Sequence, residues 1–257
     1  MKKLLIPMAG LTFAISMATV VQAAPTEIVV RVISKDAKFI GTSIGGTLIT
    51  IRDVDSGELL AKGVTKGDTG DTRRIMAMDK KRSDSLSTEG AAKFVATLDL
   101  TEPRLIEVSA YGPLAQRQSA NKVSATQWIV PGKHINAGDG FLLQMPGFVV
   151  DVMDPPAHIK LTGVPQAIKL RANVTMMCGC TLEPGGPWDP GKYEVKALLK
   201  RNGESVGELA LEDAGAISQF AATWDVKQAG TYQATVYAYD PANGNTGVDS
   251  VTFIVAP

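Results

Sequence analysis

The sequence predicts an all-β protein, two β-sandwiches behind a signal peptide. Three observations predict it. Helical periodicity is nearly absent beyond the first residues, short alternating runs recur along the whole chain, and each run is bounded by Gly, Pro, Asn or Asp. Side chains alternate sides along an extended strand, so the apolar positions of each run fall on one face. A chain of 257 residues with only two cysteines rests on hydrophobic cores and not on a disulfide framework.

The leader comes first. Lys2 and Lys3 precede an uncharged stretch from Leu4 to Val21, and Val21-Gln22-Ala23 supplies the small residues that a signal peptidase reads. Cleavage near Ala23 is expected, which sets residues 1–23 apart from the fold. No cysteine stands at the cleavage point and no charged stop-transfer flank follows, so neither a lipid anchor nor a retained membrane span is expected. The localisation implied is periplasmic or secreted. Loss of Lys2 and Lys3 from 26 basic residues leaves 24 against 26 acidic ones, a net charge of −2. There is no basic stripe, so nucleic acid is not an expected partner.

The first half carries the runs "TEIVVRVI", "GTLITIRDV", "KFVATLDL" and "RLIEVSAYG". The second carries "AIKLRANVTM", "KYEVKALLKRNG", "QFAATWDV", "TYQATVYAYD" and "VDSVTFIV". Between them "DVMDPPAHIKLTGVP" is punctuated by Pro155, Pro156 and Pro165. The expected domains are therefore residues 24–150 and 151–257.

Particular residues carry two resemblances. "QAGTYQATVYAYD" steps from Ala-Gly into Tyr232 and alternates through Val236 and Tyr237, "FAATWDV" precedes it and "TGVDSVTFIVAP" follows. This resembles strands E, F and G of a bacterial immunoglobulin-like domain, with Tyr232 as the tyrosine corner and "AIKLRANVTM" as strand B. The paired B and F cysteines of antibody domains are missing, so no antibody-like role carries over. In the first half, "ITIRDVDSGELLAKGVT" is a strand, a polar turn at Ser56-Gly57 and a second strand, and "KFVATLDLTEPRLIEVSAYG" repeats the pattern. This resembles a prealbumin-like or carboxypeptidase-regulatory-like sandwich. Such modules bind, space or brace, and a fold alone assigns no function.

Enzyme signals are weak. "GTSIG" matches the G-x-S-x-G elbow around Ser43, but a β-run follows where that motif needs a helix. His134 and His158, the only histidines, sit in a turn-rich loop and in the linker. "DVDSGE" opens like a calcium loop but meets Val64 where the bidentate acid belongs, so a hairpin turn is expected. Asp240, Asn243, Asn245 and Asp249 form an oxygen-rich loop that serves equally well as a tight turn. Residues 64–90 are the longest stretch without strand character, open to reading as a binding surface or as a mobile loop.

The sharpest feature is "MMCGCTLEPGGPWDPG". In an extended strand Cys178 and Cys180 point to the same face and Met176 and Met177 to opposite ones. Gly179 tolerates the bend that draws the two sulfurs together. In an oxidising compartment a Cys178–Cys180 disulfide that clips the Pro-rich loop is one reading. The other is a soft-metal site in which Met177, Cys178 and Cys180 hold Cu(I), or a thiol-redox site. The expected function is a non-catalytic exported binding or accessory protein whose surface includes Cys178, Cys180, Glu183 and Trp188 and meets a protein partner in the periplasm. The alternative is a copper-binding or thiol-redox factor.

Overall fold

The structure is a computed structural model that describes residues 22–257. Apart from Gln22 and Ala23, the expected signal peptide lies outside the described residues. Among the described residues no helix is long and apolar enough to cross a membrane.

Seven strands build the first sandwich: β1 (Ala24–Ser34), β2 (Leu48–Asp53), β3 (Leu59–Val64), β4 (Phe94–Leu100), β5 (Arg104–Gly112), β6 (Asn121–Ile129) and β7 (Phe141–Met145). One sheet runs β4-β1-β7 and the other β3-β2-β5-β6. Ile28, Val30 and Val32 of β1 meet Ile49 and Ile51 of β2 and Ile106, Val108 and Ala110 of β5 in a shared core. Each large aliphatic buried there contributes about 1.5–3 kcal/mol. β1 is also covered on its other face, where Val29, Arg31 and Ile33 are buried. That explains why it reads as an almost unbroken apolar run and not as an alternating one.

Nine strands build the second: β8 (Phe148–Asp154), β9 (Lys160–Thr162), β10 (Gln166–Met176), β11 (Glu194–Arg201), β12 (Glu204–Ala210), β13 (Glu212–Asp213), β14 (Gln219–Val226), β15 (Gly230–Asp240) and β16 (Asn245–Ala256). The sheets run β13-β14-β10-β8 and β12-β11-β15-β16-β9. Lettered as an immunoglobulin-like sandwich, these are D-E-B-A against C′-C-F-G-A′. The Tyr232 hydroxyl donates to the Gln228 carbonyl at 2.5 Å, four residues upstream, which is the tyrosine corner. Trp224 packs edge-on against the Tyr232 ring at 5.0 Å, and Val236 is fully buried.

Only Pro146 and Gly147 separate β7 from β8. β8 straddles the expected boundary between residues 150 and 151. Its Val149 packs in the first core while Phe148 and Val150 pack in the second.

Candidate functional site

The site is the junction where β10 ends. Thr175 bridges to Thr181, the Met176 amide donates to the Cys180 carbonyl at 3.0 Å, and the Gly179 amide donates to the Met176 carbonyl at 2.8 Å. Gly179 sits at φ +76°, where a Cβ would also approach Ile44 of the first sandwich. In this tight turn Cys178 and Cys180 form a disulfide with a Cα separation of 5.4 Å, within the ordinary bridging range.

The turn stands between the two cores. Met176 and Cys178 pack into the second, while Met177, wholly buried, enters the first. The two methionines thus take opposite sides, as the alternation predicts. The first sandwich reciprocates by placing Ala37 in the second core beside Trp188. The Trp188 indole donates to the Asp36 carbonyl at 2.9 Å, and the Asn243 amide bridges the Asp36 and Asp240 carboxylates. Asn245 donates to the Gly147 carbonyl and accepts from its amide, so its side chain satisfies a backbone stretch as a neighbouring strand would. Lys35 donates to the Asn243 carbonyl at 2.9 Å. The B–C and F–G loops, at the end where such sandwiches carry binding loops, therefore grip the first sandwich.

Beyond this base the loop turns outward. The Glu183 amide donates to the Trp188 carbonyl at 3.1 Å and the Gly186 amide to the Glu183 carbonyl at 3.0 Å. The Asp189 carboxylate accepts from the Gly185 and Gly191 amides, which hold it below the usual aspartate range. Behind it the Tyr193 phenol is pushed up to about 12, chiefly by burial and further by Asp240, Asp36 and Asp189. Its ring meets Phe148 edge-on at 5.1 Å. The result is a locked base and an exposed tip, Glu183 to Pro187.

The structure therefore distributes the predicted site residues. Glu183 is exposed at the tip, Cys180 is half-buried, and Cys178 and Trp188 are buried. Met177 does not converge with the two cysteine sulfurs, because it faces the first core while Cys178 faces the second. The oxygen-rich Asp240–Asn245 loop spends its side chains on the junction. "DVDSGE" is a hairpin turn in which Asp53 accepts from the Ser56 amide and hydroxyl, each at 2.8 Å, and lies 3.8 Å from Arg104. Ser43 sits in a three-residue helical turn, Thr42–Ile44, and β2 follows it. The His134 ring accepts from the Glu27 amide at 3.0 Å.

Residues 64–90 form a cover. Lys66 bridges to Lys93 and Asp68 to Ala91, and a short helical turn, Arg73–Ala77, seats Ile75 against Phe39 and Ile33. Asp139 pins the far end by accepting from the Leu86 and Ser87 amides and the Ser85 hydroxyl, each at 2.8 Å. Burial raises its pKa, but these hydrogen bonds outweigh burial and hold it below the ordinary value. Arg31 lies beneath, donating to the Asp139 carbonyl at 3.3 Å. Asp36, Asn243 and Asp139 are structural anchors that sequence reasoning missed. Each reads locally as a turn residue, and the partner that makes it an anchor lies more than 50 positions away.

No family model and no curated protein matches this chain. Among solved structures the chain is similar to an engineered protein, at 19% identity and TM-score 0.33 over 50% of this chain. It spans 24% of that protein's length. It is also similar to CopC from Methylosinus trichosporium, at 18% identity and TM-score 0.30 over 44% of this chain and 95% of that one. The fibronectin(III)-like modules of Clostridium thermocellum CbhA match at 12% identity and TM-score 0.30 over 90% of this chain and 94% of theirs.

Proposed function

We propose that this is an exported, non-catalytic binding or accessory protein that presents the Glu183–Pro187 tip to a periplasmic protein partner. One observation carries the reading: a tip exposed to solvent on a base locked by the disulfide, Trp188 and Asp189. A preorganised loop loses less entropy on binding than a free one, so the locking favours affinity. The rival reading, a copper or thiol-redox factor, requires the disulfide to open and Met177 to leave the first core.

A photo-crosslinking amino acid placed at position 183 in the exported protein tests this. A discrete adduct is expected there and none at position 204 on β12. The adduct should weaken in the Cys178→Ser/Cys180→Ser variant, whose base is looser. No adduct at 183, or the same adduct at both positions, overturns the proposal. Sequencing of the exported protein should start at Ala24, and recovery of the form that begins at Met1 would contradict export by a cleaved leader.

A further inference from the structure

The edges of a β-sheet expose unpaired amides and carbonyls, and folded proteins block them with charges, bulges, short strands or covering groups. Several edges here carry such devices. β12 has Glu204 and Glu208 and a register shift against β11. β9 and β13 are three and two residues long. β8 has its Val150 amide taken by the Ser119 hydroxyl and its Val152 amide by Asp249. β4 lies against β3, with the Phe94 ring over Gly63.

β6 carries fewer of these, all at its first two residues. The Asn121 side chain accepts from the Lys122 amide and donates to the Pro146 carbonyl, and Lys122 is the single charge, so the stretch from Ser124 to Trp128 is left unguarded. The strand is nine residues long, "NKVSATQWI", pairs with β5 in unbroken register, and contains no proline and no glycine. Every residue from Ser124 to Trp128 is exposed, including Ala125 and Gln127 on the side that faces the core. Trp128 is 61% exposed, the most exposed large hydrophobic among the described residues. Lys122 and Trp128 share the outer face, opposite Tyr111 and Leu105 of β5.

We propose that β6 is the seam of a homodimer, pairing antiparallel with β6 of a second copy about a two-fold axis at Ala125. The commitment to a second copy comes from the complementarity of the strand with itself. That axis sets Ser124 opposite Thr126 and Val123 opposite Gln127. It also sets Lys122 of each copy opposite Trp128 of the other, an ammonium over an indole face, twice. Centring the axis on Ser124 or on Thr126 loses both Lys–Trp pairs. The two four-stranded sheets would join into one of eight strands. A nine-residue seam buries less than the roughly 800 Å² per partner of a standard interface, so the dimer is weak and concentration-dependent. This inference stands apart from the reading of the loop tip.

Sedimentation of the mature protein across a wide concentration range tests it. The wild type should pass from monomer to dimer. Ala125→Lys, which sets two ammonium groups face to face, should weaken the dimer by about tenfold or more. Ala125→Cys should form a covalent dimer with diamide, which takes up the two electrons and two protons released. Directly opposed residues lie about 4.5–5.5 Å apart between Cα atoms, within bridging range. Val206→Cys on β12 should stay monomeric. Amide spectra of each variant report whether it folds. A wild type that is monomeric throughout overturns the proposal, as does a dimer indifferent to Ala125→Lys, or equal cross-linking at 125 and 206. A monomer that instead accepts an extended peptide along β6 would also overturn it and assign the edge to a different partner.

Discussion

Two long connections look alike as sequence and do opposite things. Residues 65–93 and 177–193 are both rich in Gly, Asp and turn formers and lack strand periodicity. The first lies flat as a cover over the outer face of β1 and touches the second core only through half-buried Met76. The second stands upright between two sandwiches and puts Met177 into the first core and Cys178, Leu182 and Trp188 into the second. The difference lies in what anchors them. The cover hangs on Asp139, more than 50 residues away, and the upright loop hangs on Asp36, 152 residues from Trp188. Composition marks both as loops, while the distant anchor decides the job.

Substituting one methionine in each connection gives the largest expected contrast. Met177→Ala removes a wholly buried side chain from the first core and should cost about 2–5 kcal/mol in denaturant unfolding. Met78→Ala, at a position 52% exposed in the cover, should stay within about 0.5 kcal/mol. Equal costs would break the distinction.

A truncation sharpens the same point. Residues 147–257 keep all of β8 and should give a dispersed amide spectrum, whereas residues 151–257 lose Phe148 and Val150 from the second core. If the shorter fragment is as well dispersed, the junction is not part of the second sandwich's stability.

Acid should release the cover. The Asp139 carboxylate is held below its ordinary value, so its contribution is complete above the unfolded aspartate value of about 3.9. It is lost as pH falls through the folded value. Asp139→Ala should remove that acid-dependent step and cost about 1–3 kcal/mol by leaving the Leu86 and Ser87 amides unpaired. Proteolysis near Ser85, followed from neutral pH downwards, measures it. An unchanged acid profile in the variant would show that Asp139 is not the pin.

A small effect on stability is also expected at the disulfide. A three-residue ring removes little entropy from the unfolded chain, so Cys178→Ser/Cys180→Ser should lower stability by much less than the about 2–4 kcal/mol of long-loop bridges. The wild type should show no free thiol and take up Cu(I) only after reduction. A melting point far above that of the double variant would make the bridge plain reinforcement and remove its role in presenting the tip.

Much of this was legible beforehand. The β10 pattern predicted opposite faces for Met176 and Met177, the Ala-Gly step marked the tyrosine corner at Tyr232, and Gly179 between two cysteines marked a bend. Each is a local signal, readable from neighbours one to four positions apart. The same reading expected Trp188 and Cys178 at a presenting surface and treated Asn243 and Asn245 as turn formers. These residues look the same in either role until their distant partners are known.

By itself the sequence determined the strands, the face each strand buries, and the tight cysteine turn, because alternation, β-propensity and glycine's backbone freedom act within a few residues. Only the tertiary structure decided that the B–C and F–G end of the second sandwich turns inward against the first, that Met177 and Ala37 are exchanged between cores, and that Glu183 to Pro187 are left in water. Those outcomes depend on which surfaces meet across more than a hundred residues of chain, and no local periodicity encodes that meeting.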